Sequence, residues 1–430
     1  MNDSAPAARL RVVTREIEAP DELLVFADPQ HPTVWSRRGD ILVARGTAAA
    51  FDSADANPGP REAADWWRRT VAAAEIDDPV GLPGSGLLAF GALPFDPRPD
   101  DRADATTPPL HFAVPRFVVG RRGSRAWVTA ITADGSDPDA ALPVATGFGP
   151  HWSATTGPGA LTPDGYQEIV RAGVDAILHG DLQKVVLARD LAGTVPADAD
   201  LRRLVRALSS AYPDTWAFAV DGLIGASPET LVTVSGGTVT ARVLAGTIAR
   251  GADADADTSA SLSLATSTKD LDEHGYAVRS VLDALRPSTS SLVAGEQPFM
   301  LKLPNVWHLA TDVEGELAGD ASALDLVAVL HPTAAVAGTP TPNALDEIRR
   351  LEPFSRGRYA GPVGWIDAHG DGEWAIALRC AQFRPGDRAD GGASMPFTAY
   401  AGAGIVGASD PESEMLETRV KFRPIIDALA

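Results

Sequence analysis

Cysteine is nearly missing from this chain: Cys380 stands alone among 430 residues, which excludes an internal disulfide and any cluster of thiolate metal ligands. Long apolar runs are missing as well. No stretch approaches the ~18 consecutive apolar residues of a membrane span, and the polar start, Met1 to Glu16, has no run suited to a signal peptide. A cytoplasmic location with no membrane partner is expected. Positive charge is scarce, with 37 Lys and Arg against 57 Asp and Glu, a formal net charge of −20. That balance argues against nucleic acid as a partner, because phosphate contacts need a basic surface. No internal repeat interrupts the sequence. What remains is globular: 45% hydrophobic and 22% charged residues.

The acidic surplus sets a condition on any anionic substrate. The average field repels an anion, so local cations or a bound metal would have to attract it. The plainer reading, and the weightier one for the surface as a whole, is that the acidity only keeps the protein soluble.

The region up to about residue 155 carries short strand-like pieces, Ile41–Ala44, Phe112–Val118 and Ala126–Ile131, with an acidic loop at Asp96–Pro109. These strands have no motif of their own and are expected to complete one sheet system. A flexible piece, Thr155 to Gly159, precedes Thr162-Pro163, a cap followed by proline at the first helical position. Tyr166, Ile169, Val170, Val174, Ile177 and Leu178 recur at helical spacing until Gly180. Strands are expected at Lys184–Ala188, Trp216–Val220, Leu231–Val234, Thr238–Val243, Val363–Ile366, Trp374–Phe383 and Phe397–Ala401. Helices are expected at Thr268–Leu285, Ala321–Leu330, Ala344–Leu351 and from Pro411. Helices inserted among many strands, without strict alternation, predict an α+β fold.

Two acidic helices stand out. Asp270 and Glu273 lie three residues apart on one face of the first. In the second, Ser409 and Glu412 read as a capping box around Pro411. At about 100° per residue, Glu414, Glu417 and Lys421 fall within about 60° of one another. Oxygen donors from two helices, without cysteine, suit Mg²⁺; taken alone, each segment is more commonly an ordinary solvated face.

Lys184 opens the apolar strand KVVLAR. Burial there would favour the neutral amine, a general base toward water; the alternative is a lysine reaching solvent from a strand end. Glu229, in the turn Gly225-Ala226-Ser227-Pro228-Glu229, is either a proton donor or a turn carboxylate capping amides. Leu244-Ala245-Gly246-Thr247 places glycine where backbone approaches a ligand closely. Arg379 ends a strand and suits a carboxylate. Ala401-Gly402-Ala403-Gly404 could offer amides to an anion or be only a tight bend. His308 and His331 read as structural, since no second histidine stands at metal-ligand spacing.

Read in order, KVVLAR, GASPE, LAGT, STKDLDEH, LHPTAAVAGTP, RYAGPVGW, ALRCAQ and AGAGIV…SDPESEMLET…K resemble the chorismate-utilising enzymes, from about Thr162 to Lys421, roughly three-fifths of the chain. The resemblance implies one large unit over residues 1–430, with two packed antiparallel sheets and helices outside, acting as a monomer on chorismate. Lys184 would activate water and Glu229 would be the opposing acid. Glu273 and Glu414 would hold Mg²⁺, with Asp270 and Glu417 acting through water or behind them. Arg379, Tyr359, Lys421, the Gly246–Thr247 backbone and Gly402, Ala403 and Gly404 would receive carboxylates, and His331 would lie near the ring.

Two positions narrow the resemblance. Anthranilate synthases usually carry glutamine where this chain has Lys184, and aminodeoxychorismate synthases a lysine where it has Ala245. Both imply water as nucleophile, hence an isochorismate or salicylate synthase, and ALRCA and HPT–GTP look more like the former. A catalytically silent chorismate-binding protein is the reading from another class; it would need neither Lys184 nor Glu229.

Overall fold

The computed structural model describes residues 9–51, 59–102, 110–302, 306–384 and 392–430. Residues 1–8 of the polar start and 103–109 of the acidic loop expected at Asp96–Pro109 lie outside them. Two large sheets dominate. The 13-stranded sheet runs in the order Thr155–Pro158, Lys184–Pro196, Ser394–Ile405, Cys380–Phe383, Leu223–Ser227, Trp216–Val220, Thr33–Arg37, Asp40–Arg45, Phe117–Arg122, Arg125–Thr132, Arg11–Ile17 and Glu75–Asp77, with Gly338–Thr339 pairing beside Lys184. The 10-stranded sheet runs Thr289–Ala294, Val306–Leu317, Thr238–Ala249, Thr230–Ser235, Gly372–Ile376, Pro362–Asp367, Leu88–Ala92, His111–Val114 and Ala49–Ala50, with Phe299–Lys302 beside Val306–Leu317. Among the described residues every pairing is antiparallel except Arg11–Ile17 with Glu75–Asp77. The N-terminal strands enter both sheets.

Large apolar side chains from both sheets, among them Trp35, Phe90, Phe112, Trp365 and Trp374, share one core. Trp35 Nε1 crosses between the sheets to donate to Glu373 Oε2 at 2.8 Å. Helices cover the outside: Pro163–His179 packs on Pro411–Ala428, and Thr268–Leu285 packs on the strand Thr238–Ala249. No described helix is long and apolar enough to cross a membrane.

The helix expected after Thr162 starts there, with the Thr162 hydroxyl accepting from Gly165 N, and ends at Gly180. Thr268–Leu285 has the expected bounds. Four expectations are corrected. Thr155–Pro158 is an edge strand, not a loose connector, paired with residues 191–194. Phe112–Val118 is two strands that break at Pro115 and join different sheets, because proline supplies no ladder donor. Trp374–Phe383 also divides: Gly372–Ile376 belongs to one sheet and Cys380–Phe383 to the other, with Arg379 at φ +51° in the corner. The last helix is capped by Asp410, whose carboxylate accepts from Ser413 N; Ser409 instead accepts from Val406 N at 3.1 Å.

Candidate active site

The chain changes sheet twice at neighbouring points, and both corners carry charge. One is Ser227-Pro228-Glu229, between strands of different sheets; the other is Ala377–Arg379. They are tied together: Ile376 N donates to Glu229 O at 3.1 Å, Ala226 N to Arg379 O at 3.2 Å, and Ser227 Oγ to Ile376 O at 2.5 Å. Glu229 and Arg379 therefore come from adjacent, mutually braced turns. Both line a cavity of about 310 Å³ with Lys184, Gly246, Thr247, Asp270, Glu273, Tyr359, Gly402, Gly404, Glu414, Glu417 and Lys421.

Lys184 Nζ reaches Glu273 Oε1 at 2.5 Å, joining the strand to the first acidic helix. Lys421 mirrors it on the second, pairing with Glu417 Oε1 at 2.5 Å and donating to Gly402 O at 2.8 Å. The stripe of Glu414, Glu417 and Lys421 expected from helical geometry does face one space. The strand bearing Lys184 is fixed from behind by a buried pair. Glu352 accepts from Ala188 N at 2.8 Å and from Arg356, and Arg356 donates to Val186 O at 2.6 Å.

Because Val186 and Ala188 direct backbone groups to Ala337, Arg356 and Glu352, their cross-strand partners Gly404 and Gly402 sit in non-hydrogen-bonded pairs. The peptide groups of Gly402 and Gly404 turn to the other strand edge, where pairing with Cys380–Phe383 has ended at Ala399. The segment is thus mid-strand and not a bend. Ala403 points away from the cavity into the core, which corrects its expected place among the contacts. Gly404 has a steric reason: a Cβ there would stand 3.0 Å from Lys184 Cε. Gly246, at φ +83°, forms a bulge where the register slips between Leu244 and Thr247.

Burial raises the Glu229 carboxyl to about 7, against the pull of Lys184, Lys421 and Arg379. Burial also lowers Arg379, whose guanidinium makes no ion pair among the described residues. Tyr359 stacks on Tyr400 with centroids 5.0 Å apart. The histidines exchange places relative to expectation. His331 is not on the cavity wall; its Nε2 lies 3.0 Å from Phe95 O, and burial lowers it to about 4. His308 is on the wall. Its Nδ1 lies 2.8 Å from Thr247 Oγ1, its buried Nε2 has no protein partner, and burial beside Arg379 and Lys421 lowers it to about 3. It therefore stays neutral. Its strand register opposite Thr247 carries it there, and pairing across 61 residues leaves no local mark in the sequence.

The four carboxylates are hard oxygen donors of the kind Mg²⁺ takes. Among the described residues no three His, Cys, Asp or Glu side chains close into a cage. An open site of one or two carboxylates completed by water and substrate oxygens is what Mg²⁺ accepts, so the donor set fits.

The family profile described as chorismate binding enzyme matches residues 149–430. Isochorismate synthase DhbC of Bacillus subtilis is 39% identical over 279 residues, 62% of this chain and 68% of that protein. The vibriobactin-specific isochorismate synthase of Vibrio cholerae is 32% identical over 351 residues, 79% of each chain. The solved structure of MenF, the menaquinone-specific isochorismate synthase of Escherichia coli, shares the fold with a TM-score of 0.78, at 24% identity over 100% of this chain and 97% of that one. Profile, relatives and cavity agree that this chain belongs to the chorismate binding enzyme family.

Proposed function

We propose that this chain is an isochorismate synthase, an isomerase that adds water at C2 of chorismate and expels the C4 hydroxyl. The observation that carries the reading is the pairing in one cavity of a strand lysine with a buried carboxyl still protonated near neutrality. A carboxyl raised in this way can hold a proton near pH 7 and so serve as the acid.

Chorismate brings two carboxylates. Arg379 and Lys421, with the Gly402 and Gly404 amides and the Gly246–Thr247 backbone, supply the positive groups that hold them in an acidic protein. Tyr359 bounds the ring. Lys184 takes a proton from water as its oxygen bonds to C2. The ring double bonds shift, and Glu229 gives its proton to the C4 oxygen, which leaves as water. Glu273 and Glu414 would hold Mg²⁺, with Asp270 and Glu417 acting through water. When bound, the ion supplies positive charge at the ring carboxylate. The enzyme would act as a monomer in the cytoplasm, as one unit over residues 1–430.

Incubating the purified protein with chorismate and Mg²⁺ and identifying the product by chromatography and mass spectrometry tests the reading. Isochorismate accumulating to an equilibrium with chorismate supports it. Salicylate with pyruvate would make the chain a salicylate synthase, ammonia-dependent anthranilate an anthranilate synthase, and binding without turnover a chorismate-binding protein.

A further inference from the structure

Acid chemistry at Glu229 creates a supply problem. After each turnover Glu229 is a carboxylate and must regain a proton before the next. Besides the main cavity, Glu229 borders a second space: a cavity of about 20 Å³ whose wall also includes Arg242, Ala277, Ser280 and Thr333. That volume exceeds the roughly 10–15 Å³ one water requires, and a water there also needs two to four polar partners. The partners are present. Thr333 Oγ1 is buried and has no protein partner, and its backbone carbonyl is held by Val336 N and Ala337 N, so the residue is fixed in place. Ser280 is exposed on the helix Thr268–Leu285, at the solvent end. Leu231, Val243 and Val281 make the rest of the wall largely apolar, which confines a water to those few groups.

We propose that this small cavity holds one water between Glu229, Thr333 and Ser280, and that this water returns a proton from solvent to Glu229 between turnovers. Each proton that Glu229 gives to the leaving oxygen is replaced by this path. Across the main cavity Glu229 faces Lys184, Lys421 and Arg379. On the small cavity's side the charged group is Arg242, paired with Asp312 at 2.6 Å. Thr333 is a positioning residue here: it touches the water and not the substrate. The inference rests on Glu229 being the acid.

The test is steady-state kinetics of Thr333→Val, which keeps the shape and removes the hydroxyl, in increasing imidazole buffer at fixed pH. The expected result is a kcat reduced by about ten-fold, an unchanged KM for chorismate, a larger solvent deuterium isotope effect, and recovery of kcat as buffer acid rises. The unaltered enzyme should show no buffer dependence, and Thr333→Ser should restore its behaviour. A normal kcat in Thr333→Val, or a loss that buffer does not recover, overturns the relay. If valine at 333 does not fold, Ser280→Val, which removes the exposed hydroxyl on the cavity wall, must give the same buffer-dependent loss, and a normal response there is equally fatal. Glu229→Gln separates the two ideas. Full activity in that variant removes the acid itself, whereas an inactive Glu229→Gln beside a normal Thr333→Val removes only the relay.

Discussion

Lys184 and Glu273 meet at 2.5 Å across 89 residues of sequence, one on the strand next to the edge of the larger sheet and the other on a helix packed on the smaller sheet. The pair joins the proposed base to one of the proposed cation ligands. A change at either residue therefore disturbs both functions, and the two must be assayed separately.

Lys184→Ala should reduce turnover by about 10²- to 10⁴-fold, the usual weight of a general base, while thermal unfolding stays close to that of the parent. Chorismate binding, followed by calorimetry, should persist. Turnover within a few-fold of normal would remove Lys184 from the role.

Glu229→Gln should be comparably inactive and, at neutral pH and above, more stable. The folded carboxyl is raised to about 7 from 4.5, so the burial penalty is absent below about pH 4.5, grows to about pH 7 and stays constant above. At roughly 1.4 kcal/mol per unit it reaches about 3 kcal/mol. The melting-temperature gain of Glu229→Gln should thus be largest near pH 8 and vanish near pH 4. Activity of the unaltered enzyme should decline as pH rises through about 7, where the proton donor is lost. A gain independent of pH would contradict the assignment.

Chelation should stop turnover, and added Mg²⁺ should restore it. Glu273→Ala and Glu414→Ala, one from each acidic helix, should each abolish the heat of Mg²⁺ binding in the presence of chorismate. Retained binding in both would remove the pair as ligands.

His308→Ala and His331→Ala should separate by readout. His308 lies on the cavity wall, so its loss should lower kcat/KM by ten-fold or more with little change in melting. His331 contacts Phe95 O away from the cavity, so its loss should lower the melting temperature first. The reverse pattern would return His331 to the site.

Glu352→Ala should destabilise the protein by about 3–5 kcal/mol, because it strands the buried Arg356 charge and frees Ala188 N. Chemical denaturation measures it, and a change under about 1 kcal/mol would show that the clamp is not holding the Lys184 strand.

Local signals in the sequence were enough for several elements. Thr162-Pro163 and Gly180 bound one helix, the apolar period of Thr268–Leu285 marked another, and the spacing of Glu414, Glu417 and Lys421 put them on one face. Caps and periodicity involve residues within a turn or two of each other, so they can be read without the fold. The ordered motifs also gathered most of the cavity wall. Tertiary structure alone decided the rest. Trp374–Phe383 looks like one strand because both halves are buried, and only the two-sheet packing turns the chain at Arg379, whose left-handed φ no glycine or asparagine announces. Register alone turned Ala403 into the core and brought His308 to the cavity, while His331, at the end of the helix Ala323–Leu330, was carried to Phe95 by the packing of that helix. Those outcomes depend on partners dozens to hundreds of residues away, and strand pairing, unlike a helix period, is written in no single segment.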